Sequence, residues 1–381
     1  MSKFSDRSLP VFSGKFTVCF APKFTDTNPY QSCLAYNLER LGVKLDGIED
    51  CKLFLPKEVA KRRARILHLH WLHRFYHRSK SEVSICVFLK FFVGLMTLKV
   101  RNVPIVWTAH NIVSHEVSSV VLDRLSSILV ARQAEAIITH SKAAKQELIN
   151  TYKIKSCDKI LVIPHANYID QYKNEISKKD ARSRLSIPEA KTVFLFFGLI
   201  RPYKGVPELI DAFEKLRADE ICLLIAGQPR DNDLRGLIER KVAKNCESIC
   251  FIPRFIAEDE VQIYMNAADV VVFPYRELLT SGAILLATSF GRACIAPQRG
   301  AILESLDSKG AFLYDPDSES GLLKAMTSAL AHKANLHEMG QHNYRVAKAW
   351  GWEEVARETS AVYSKCLNVV NSQKDSVAYK K

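Results

Sequence analysis

Chemistry is densest in the segment Phe196-Phe197-Gly198-Leu199-Ile200-Arg201-Pro202-Tyr203-Lys204-Gly205-Val206. An apolar run ends at Gly198, a Gly-x-x-Arg-x-x-Lys-Gly spacing follows, and Pro207-Glu208-Leu209-Ile210 opens a helical pattern. Arg201 offers a rigid fork of donors and Lys204 a compact point charge, while Gly205 lets backbone approach a ligand closely. At the carboxyl end of a parallel strand, where α/β sheets bind anions, this set reads as a phosphate site. The plain alternative is a turn carrying two solvated cations; the spacing favours phosphate.

A second cluster is Val106-Trp107-Thr108-Ala109-His110-Asn111-Ile112-Val113-Ser114-His115-Glu116. A strand delivers His110 and Asn111 at its carboxyl end, and an imidazole that titrates near neutrality suits a hydrogen-bond donor or proton carrier. After the first strand comes Thr25-Asp26-Thr27-Asn28-Pro29-Tyr30-Gln31, with Asn28 placed as an N-cap and Pro29 at the first helical position. Capping alone accounts for Asn28. Asp231-Asn232-Asp233 matches an Asp-x-Asp metal pattern but stands in a Pro/Asn-rich stretch well past the phosphate segment. It reads as a surface loop, and no metal ligand is assigned.

These groups need a scaffold that presents strand ends. Short apolar runs alternate with helical patterns: Phe16–Phe20, Ile66–His70, Ile105–Thr108, Ala136–Thr139, Ile160–Ile163, Val193–Phe197, Ile221–Ala226, Ser248–Ile252, Val270–Phe273, Cys294–Ala296 and Ala311–Tyr314. Strands of this length between helices make βαβ units and parallel sheets, and so many strands call for two sheets. From Ile169 to Thr192 the chain turns polar before the strand–helix series restarts, which places a domain boundary near 168–190.

The 381 residues are 48% hydrophobic and 25% charged, enough for two or three domains with cores of their own. The ten cysteines are scattered without a CxxC pair, so they read as buried free thiols rather than zinc ligands or a disulfide framework. A formal charge of +13, from 54 Lys+Arg against 41 Asp+Glu, favours a polyanionic or phosphate-bearing partner. No nucleic-acid-binding signature accompanies it, so nucleic acid is not expected as a partner. Arg62, Arg63, Arg65, His73, Arg74, His77, Arg78 and Lys80 interleave with Trp71, Phe75 and Tyr76 ahead of an apolar stretch from Val83 to Val100. Lys90 and Lys99 leave that stretch too short to span a bilayer; it reads as a buried or membrane-touching helix beside an anionic surface. The first residues, Met-Ser-Lys-Phe-Ser-Asp-Arg, do not form a secretory signal, which gives a cytoplasmic expectation, at the inner face of the cytoplasmic membrane if the basic stretch binds there.

The Phe196–Val206 segment resembles the first loop of the donor-binding domain of GT-B glycosyltransferases related to family 4, and the resemblance continues. Leu224-Ile225-Ala226-Gly227, the segment from Phe255-Ile256 through Ala267-Ala268-Asp269 to Phe273-Pro274-Tyr275, Arg292–Pro297 and Gly300-Ala301-Ile302-Leu303-Glu304 resemble successive elements of that domain. The resemblance implies an α/β chain with two Rossmann-like doubly wound domains facing an interdomain cleft. Its expected boundaries are 1–175 for the acceptor side, 176–348 for the nucleotide-sugar side, and 349–381 for a C-terminal helix crossing back plus a basic tail. It implies that Arg201 and Lys204 neutralise the leaving diphosphate, with Gly198, Gly205 and Glu304 in the same donor site. Glu277 would accept hydrogen bonds from sugar or ribose hydroxyls. Relatives carry a second glutamate eight residues on, where this chain has Leu285. The turn Thr280-Ser281-Gly282-Ala283 offers backbone amides at a helix start, which suit a diphosphate. The Thr-x-His-Asn cluster is similar to an acceptor-domain loop, so His110 is expected at the donor sugar or as the proton carrier, with Asp26, Asn28, Asn111, His115 and Glu116 on the acceptor side. His165-Ala166-Asn167-Tyr168 resembles a hinge at the domain junction. The expected activity moves a hexose from a UDP- or GDP-sugar to a glycan or lipid-linked saccharide in polysaccharide or glycoconjugate synthesis. Retention is expected, with no cofactor beyond the nucleotide-sugar co-substrate and no metal. An inverting glycosyltransferase of the same fold (a mannosyltransferase, for example), a nucleotide-sugar epimerase and a non-catalytic polyanion- or glycan-binding protein stay open.

Overall fold

The computed structural model describes residues 16–23, 29–76, 84–110, 120–216, 218, 220–244, 247–276 and 281–378. The chain forms two compact units. One comprises the chain through His165 together with Trp352 onward, the other Ala166–Gly351. The crossing point lies upstream of the 175/176 boundary expected from sequence. The polar composition begins only at Ile169, but residues 166–168 are already held by the second unit. The Asn167 amide donates to the carbonyls of Ala347 (2.9 Å) and Trp350 (2.8 Å), and the Tyr168 N–H donates to Ser289 Oγ (2.8 Å).

The first unit is built on β1 (Thr17–Ala21), β2 (Lys44–Gly47), β3 (Ile66–Leu69), β4 (Ile105–Thr108), β5 (Ala136–Thr139) and β6 (Ile160–Val162). They form a parallel sheet in the order β2-β1-β3-β4-β5-β6. β3, β4 and β5 are buried along their whole length, as strands covered by helices on both faces must be. β2 is missing from the strands read in the sequence. Its residues, Lys-Leu-Asp-Gly, are polar and partly exposed because it is an edge strand covered less completely. The C-terminal helix Trp352–Ala378 completes this unit, with Val355, Ala356 and Tyr363 fully buried and the Tyr363 hydroxyl 2.6 Å from His68 Nδ1.

The second unit is built on β7 (Thr192–Phe197), β8 (Ile221–Ala226), β9 (Ile249–Ile252), β10 (Val270–Val272), β11 (Ala293–Pro297) and β12 (Ala311–Tyr314), parallel in the order β12-β11-β10-β7-β8-β9. β7 and β8 are continuous apolar runs buried at every position. Buried Arg182 pins helix Lys178–Arg184 beneath them. Its guanidinium pairs with Asp269 (2.7 Å) and donates to the Ala267 and Glu189 carbonyls, while Asp269 also accepts from the Val193 N–H (2.7 Å). An ion pair out of water is sustained only when its remaining hydrogen-bonding capacity is used in this way.

Each sheet reverses its winding once, at β1/β3 in the first unit and at β7/β10 in the second. Crevices at the carboxyl ends of such switch points are where doubly wound folds bind ligands.

The apolar helix runs Ile85–Val100 and divides cleanly. Phe88, Phe91, Gly94, Leu95 and Leu98 are buried, whereas Ile85, Leu89, Val93, Met96 and Val100 form an exposed stripe at helical spacing. Two of the three aromatic residues expected at a membrane interface are not there: Phe75 and Tyr76 are fully buried, and Tyr76 donates its hydroxyl to Asp123, while Trp71 is partly exposed. Arg62 is tied to Glu58 and Asp46. His77, Arg78 and Lys80 lie outside the described residues. Among the described residues no helix is long and apolar enough to cross a membrane.

Candidate functional site

At the β7/β10 switch point two loops are locked together by backbone. β7 ends at Gly198, whose φ of +110° allows the turn, and the Ile200 N–H bonds the Gln228 carbonyl at 2.9 Å. A 3-10 turn, Pro202–Lys204, leads to Gly205 at φ +67°, and helix Val206–Glu214 starts there. A Cβ on Gly205 would sit 2.0 Å from the Pro274 carbonyl oxygen, so only glycine lets the lysine loop lie against the segment after β10. The Arg276 N–H donates to the Tyr203 carbonyl (2.9 Å), sealing that contact.

This packing turns Lys204 back over the strand end. Its ammonium lies 5.7 Å from the centroid of the Tyr275 ring and 3.8 Å from where a Cβ on Gly198 would be. Arg201, half-buried, donates to the Ile200 carbonyl (3.1 Å). Ser281 caps helix Gly282–Ser289 through Oγ and the Ile284 N–H (3.3 Å), leaving Gly282 exposed at the helix start. The switch point therefore holds Gly198, Arg201, Lys204 and Gly205 on the β7 side, and Ser281, Gly282 and Ala283 on the β10 side. Glu304 lies apart from these loops in the chain, exposed on the short helix Ile302–Ser305 after β11. Glu277 and Thr280 fall outside the described residues. Asp231-Asn232-Asp233 is not a loop: Asp231 is the N-cap of helix Asn232–Val242, accepting from the Leu234 N–H at 2.9 Å.

In the first unit, His110 belongs to an imidazole cluster that the sequence reading did not find. His70 follows β3, His110 closes the segment after β4, His140 follows β5 and His165 lies just after β6. Tyr30 and Trp352 pack edge-on against them, and Trp71 stacks on His110 at 4.6 Å. Hydrogen-bond directions fix the tautomers. The Ile163 carbonyl can only accept, so His140 Nδ1 carries the proton (3.0 Å) and its Nε2 is bare. That nitrogen accepts from His110 Nδ1 (3.4 Å), and His110 Nε2 in turn accepts from His70 Nδ1 (3.0 Å). The chain ends at His70 Nε2, a buried lone pair without a partner. Both ring nitrogens of His110 are thus engaged by other imidazoles, and the bare acceptor of the row is on the adjacent ring, His70.

Burial keeps this row neutral. It lowers the His68 pKa to about 3 and that of His140 to about 4, the latter despite the Ile163 carbonyl, which favours the cation. His70 and His110 are pushed well down too, first by burial and then by neighbouring imidazoles. The signal was present in the sequence as a histidine at or just past four successive strand ends: Leu-His-Leu-His, Thr-Ala-His, Thr-His and Pro-His. Asp26, Asn28, Asn111, His115 and Glu116 lie outside the described residues.

Comparison with known proteins identifies the family and the fold. Residues 191–332 match the family model described as glycosyl transferases group 1, and residues 52–167 match that described as glycosyltransferase family 4. Among curated relatives, a GDP-mannose:glycolipid 4-beta-D-mannosyltransferase of Xanthomonas campestris pv. campestris is 28% identical over 337 residues, covering 84% of this chain and 86% of the relative. Among solved structures, sucrose-phosphate synthase from Thermosynechococcus elongatus superposes with a TM-score of 0.71 at 18% identity, covering 93% of this chain and 99% of that one. Anabaena HepE in complex with UDP gives a TM-score of 0.72 at 14% identity, with 92% and 100% covered. Two parallel sheets with flanking helices define the two-domain α/β fold of GT-B glycosyltransferases. The chain belongs to the family 4-like members of that class and is a glycosyltransferase.

Proposed function

We propose that the chain transfers a hexosyl group from a nucleotide sugar to a lipid-linked or glycan acceptor, with Arg201, Lys204 and the amides of Ser281–Ala283 receiving the leaving diphosphate. The observation that carries this reading is the β7/β10 switch point, where the loop bearing Arg201 and Lys204 packs against the segment after β10 that leads toward helix Gly282–Ser289. Departure of a nucleoside diphosphate builds negative charge there as the anomeric carbon becomes cationic, and fixed donors stabilise that charge without reorganising. Those cations can take the role a metal ion plays elsewhere, so turnover in excess EDTA equals turnover without it. The name of the Xanthomonas relative supports GDP-mannose as the first donor to try and a glycolipid as the acceptor. Retention follows from the family resemblance. Inversion is the second reading, favoured by the β linkage in that relative's name.

The acceptor side of the proposal includes a membrane surface. The stripe Ile85, Leu89, Val93, Met96 and Val100 is joined by exposed Val121 on the neighbouring helix Val120–Gln133 and edged by exposed Lys90, Lys99 and Arg101. Apolar area bordered by cations matches an anionic lipid interface. The deciding experiment incubates the protein with UDP-, GDP- and ADP-sugars and a lipid-linked saccharide, follows nucleotide release, and assigns the anomeric configuration of the product by NMR. Nucleotide release that no sugar donor supports overturns the reading.

A further inference from the structure

We propose that Tyr275 is a binding residue of the diphosphate site, its ring placing Lys204 and its hydroxyl held for a phosphate oxygen at the start of helix Gly282–Ser289. The inference rests on the donor-site reading above and adds to it a side chain which that reading does not use.

Tyr275 is 2% exposed and follows β10 at the switch point. One face of its ring carries the Lys204 ammonium at 5.7 Å. Its hydroxyl is buried close enough to Ser281, the cap of the helix, to interact with it, yet makes no hydrogen bond of good geometry among the described residues. A phenol can reach a partner almost anywhere a neighbour offers one, and a buried hydroxyl left without one is a cost to the fold. Phenylalanine would fill the same space without that cost. The ring alone therefore accounts for the lysine contact but not for the hydroxyl. The helix N-terminus next to it points unpaired amides outward, beside exposed Gly282. An oxyanion seated there would meet three kinds of donor together: the ammonium of Lys204, the amides of Ser281–Ala283 and the phenol. Burial raises the phenol's pKa above its ordinary value, so the group stays protonated and can only donate to such an anion.

The test measures binding of UDP, GDP, uridine and guanosine by calorimetry, and thermal stability, for wild type, Tyr275→Phe and Tyr275→Leu. Removing one donor to a charged group weakens binding by about tenfold or more. Tyr275→Phe is expected to melt at or above the wild-type temperature while losing that factor for the diphosphate and nothing for the nucleoside. Tyr275→Leu, which also removes the ring face under Lys204, is expected to lose more diphosphate affinity, and the extra loss disappears in a Lys204→Ala background. A merely structural tyrosine would move stability and both ligands in the same direction. Wild-type affinity for the diphosphate in Tyr275→Phe overturns the inference and leaves the donor-site reading standing. Wild type that binds neither diphosphate overturns both.

Discussion

Acidification should destabilise the first unit before its carboxylates are titrated, because its sheet edge is lined with histidines that resist taking up protons while buried. The sign follows from the depressed values. Above the unfolded-state pKa of 6.5 both states are neutral; below it the unfolded chain binds protons that the folded unit refuses, so stability falls with pH. The loss continues until the folded-state values are reached, about 4 for His140 and about 3 for His68. Between about pH 7 and about pH 5 each such group costs ~2 kcal/mol, at roughly 1.4 kcal/mol per pK unit. His68 and His140 alone thus remove ~4 kcal/mol, and His70 adds to it, against a typical domain stability of 5–15 kcal/mol. Urea unfolding followed by tryptophan fluorescence reads this unit in particular, since Trp71, Trp107 and Trp352 lie in it and only Trp350 in the other. The expected result is a midpoint that drops steeply over that range, with the slope reduced by one proton's worth in His140→Gln and again in His68→Gln. Equal stability at both pH values, or a slope that neither substitution changes, would refute the buried neutral row.

The other expectations are shorter. Arg201→Ala and Lys204→Ala each lower kcat by about 100-fold or more, the scale for losing one preorganised donor to developing charge, measured by nucleotide release. Gly205→Ala puts a Cβ 2.0 Å from the Pro274 oxygen at a φ of +67°, so it should cost at least ~1–2 kcal/mol and abolish diphosphate binding, seen in melting and calorimetry. Leu89→Glu with Val93→Glu should release the protein from anionic liposomes in sedimentation without lowering its melting temperature, because both side chains are 53% exposed. Equal sedimentation of that variant and wild type would remove the exposed stripe from the membrane proposal.

Much of the scaffold was legible because parallel strands buried on two faces must be continuous apolar runs, as β7 and β8 are. β2 was not, since an edge strand reading Lys-Leu-Asp-Gly has no such requirement. The lysine loop was legible for a related reason: Gly205 is demanded by a close approach to the Pro274 carbonyl and Gly198 by its φ of +110°. The histidine row was missed because each member, taken alone on a strand end, is ordinary. Only the order in which the strands lie side by side converts His70, His110 and His140 into a hydrogen-bonded series with the His165 ring packed against His140. The basic-aromatic stretch was legible only in part: Phe75 and Tyr76 are buried and Arg62 is paired, whereas Arg63, Arg65 and Arg74 are exposed, and the apolar surface is on the helix that follows.

Sheet order also explains where the fold tolerates unmet hydrogen bonds. Six buried side-chain polar atoms lack a partner among the described residues, and three of them stand at the two switch points. Gln31 Oε1 follows β1 and His70 Nε2 follows β3, at the reversal of the first sheet; the Tyr275 hydroxyl follows β10, at the reversal of the second. Each such atom costs about 1–3 kcal/mol relative to a satisfied or apolar replacement. Gln31 shows that the shortfall is local: its amide nitrogen donates to the Pro22 carbonyl at 2.9 Å, while its oxygen on the same planar group goes without. A helix or strand cannot fill these positions, because the chain leaves the sheet in opposite directions on either side of a reversal and no neighbouring backbone crosses the gap. The polar groups there have no partner within the fold for the same geometric reason that a ligand has room to approach, and in this chain the cost in stability is concentrated at the edges where its chemistry is expected.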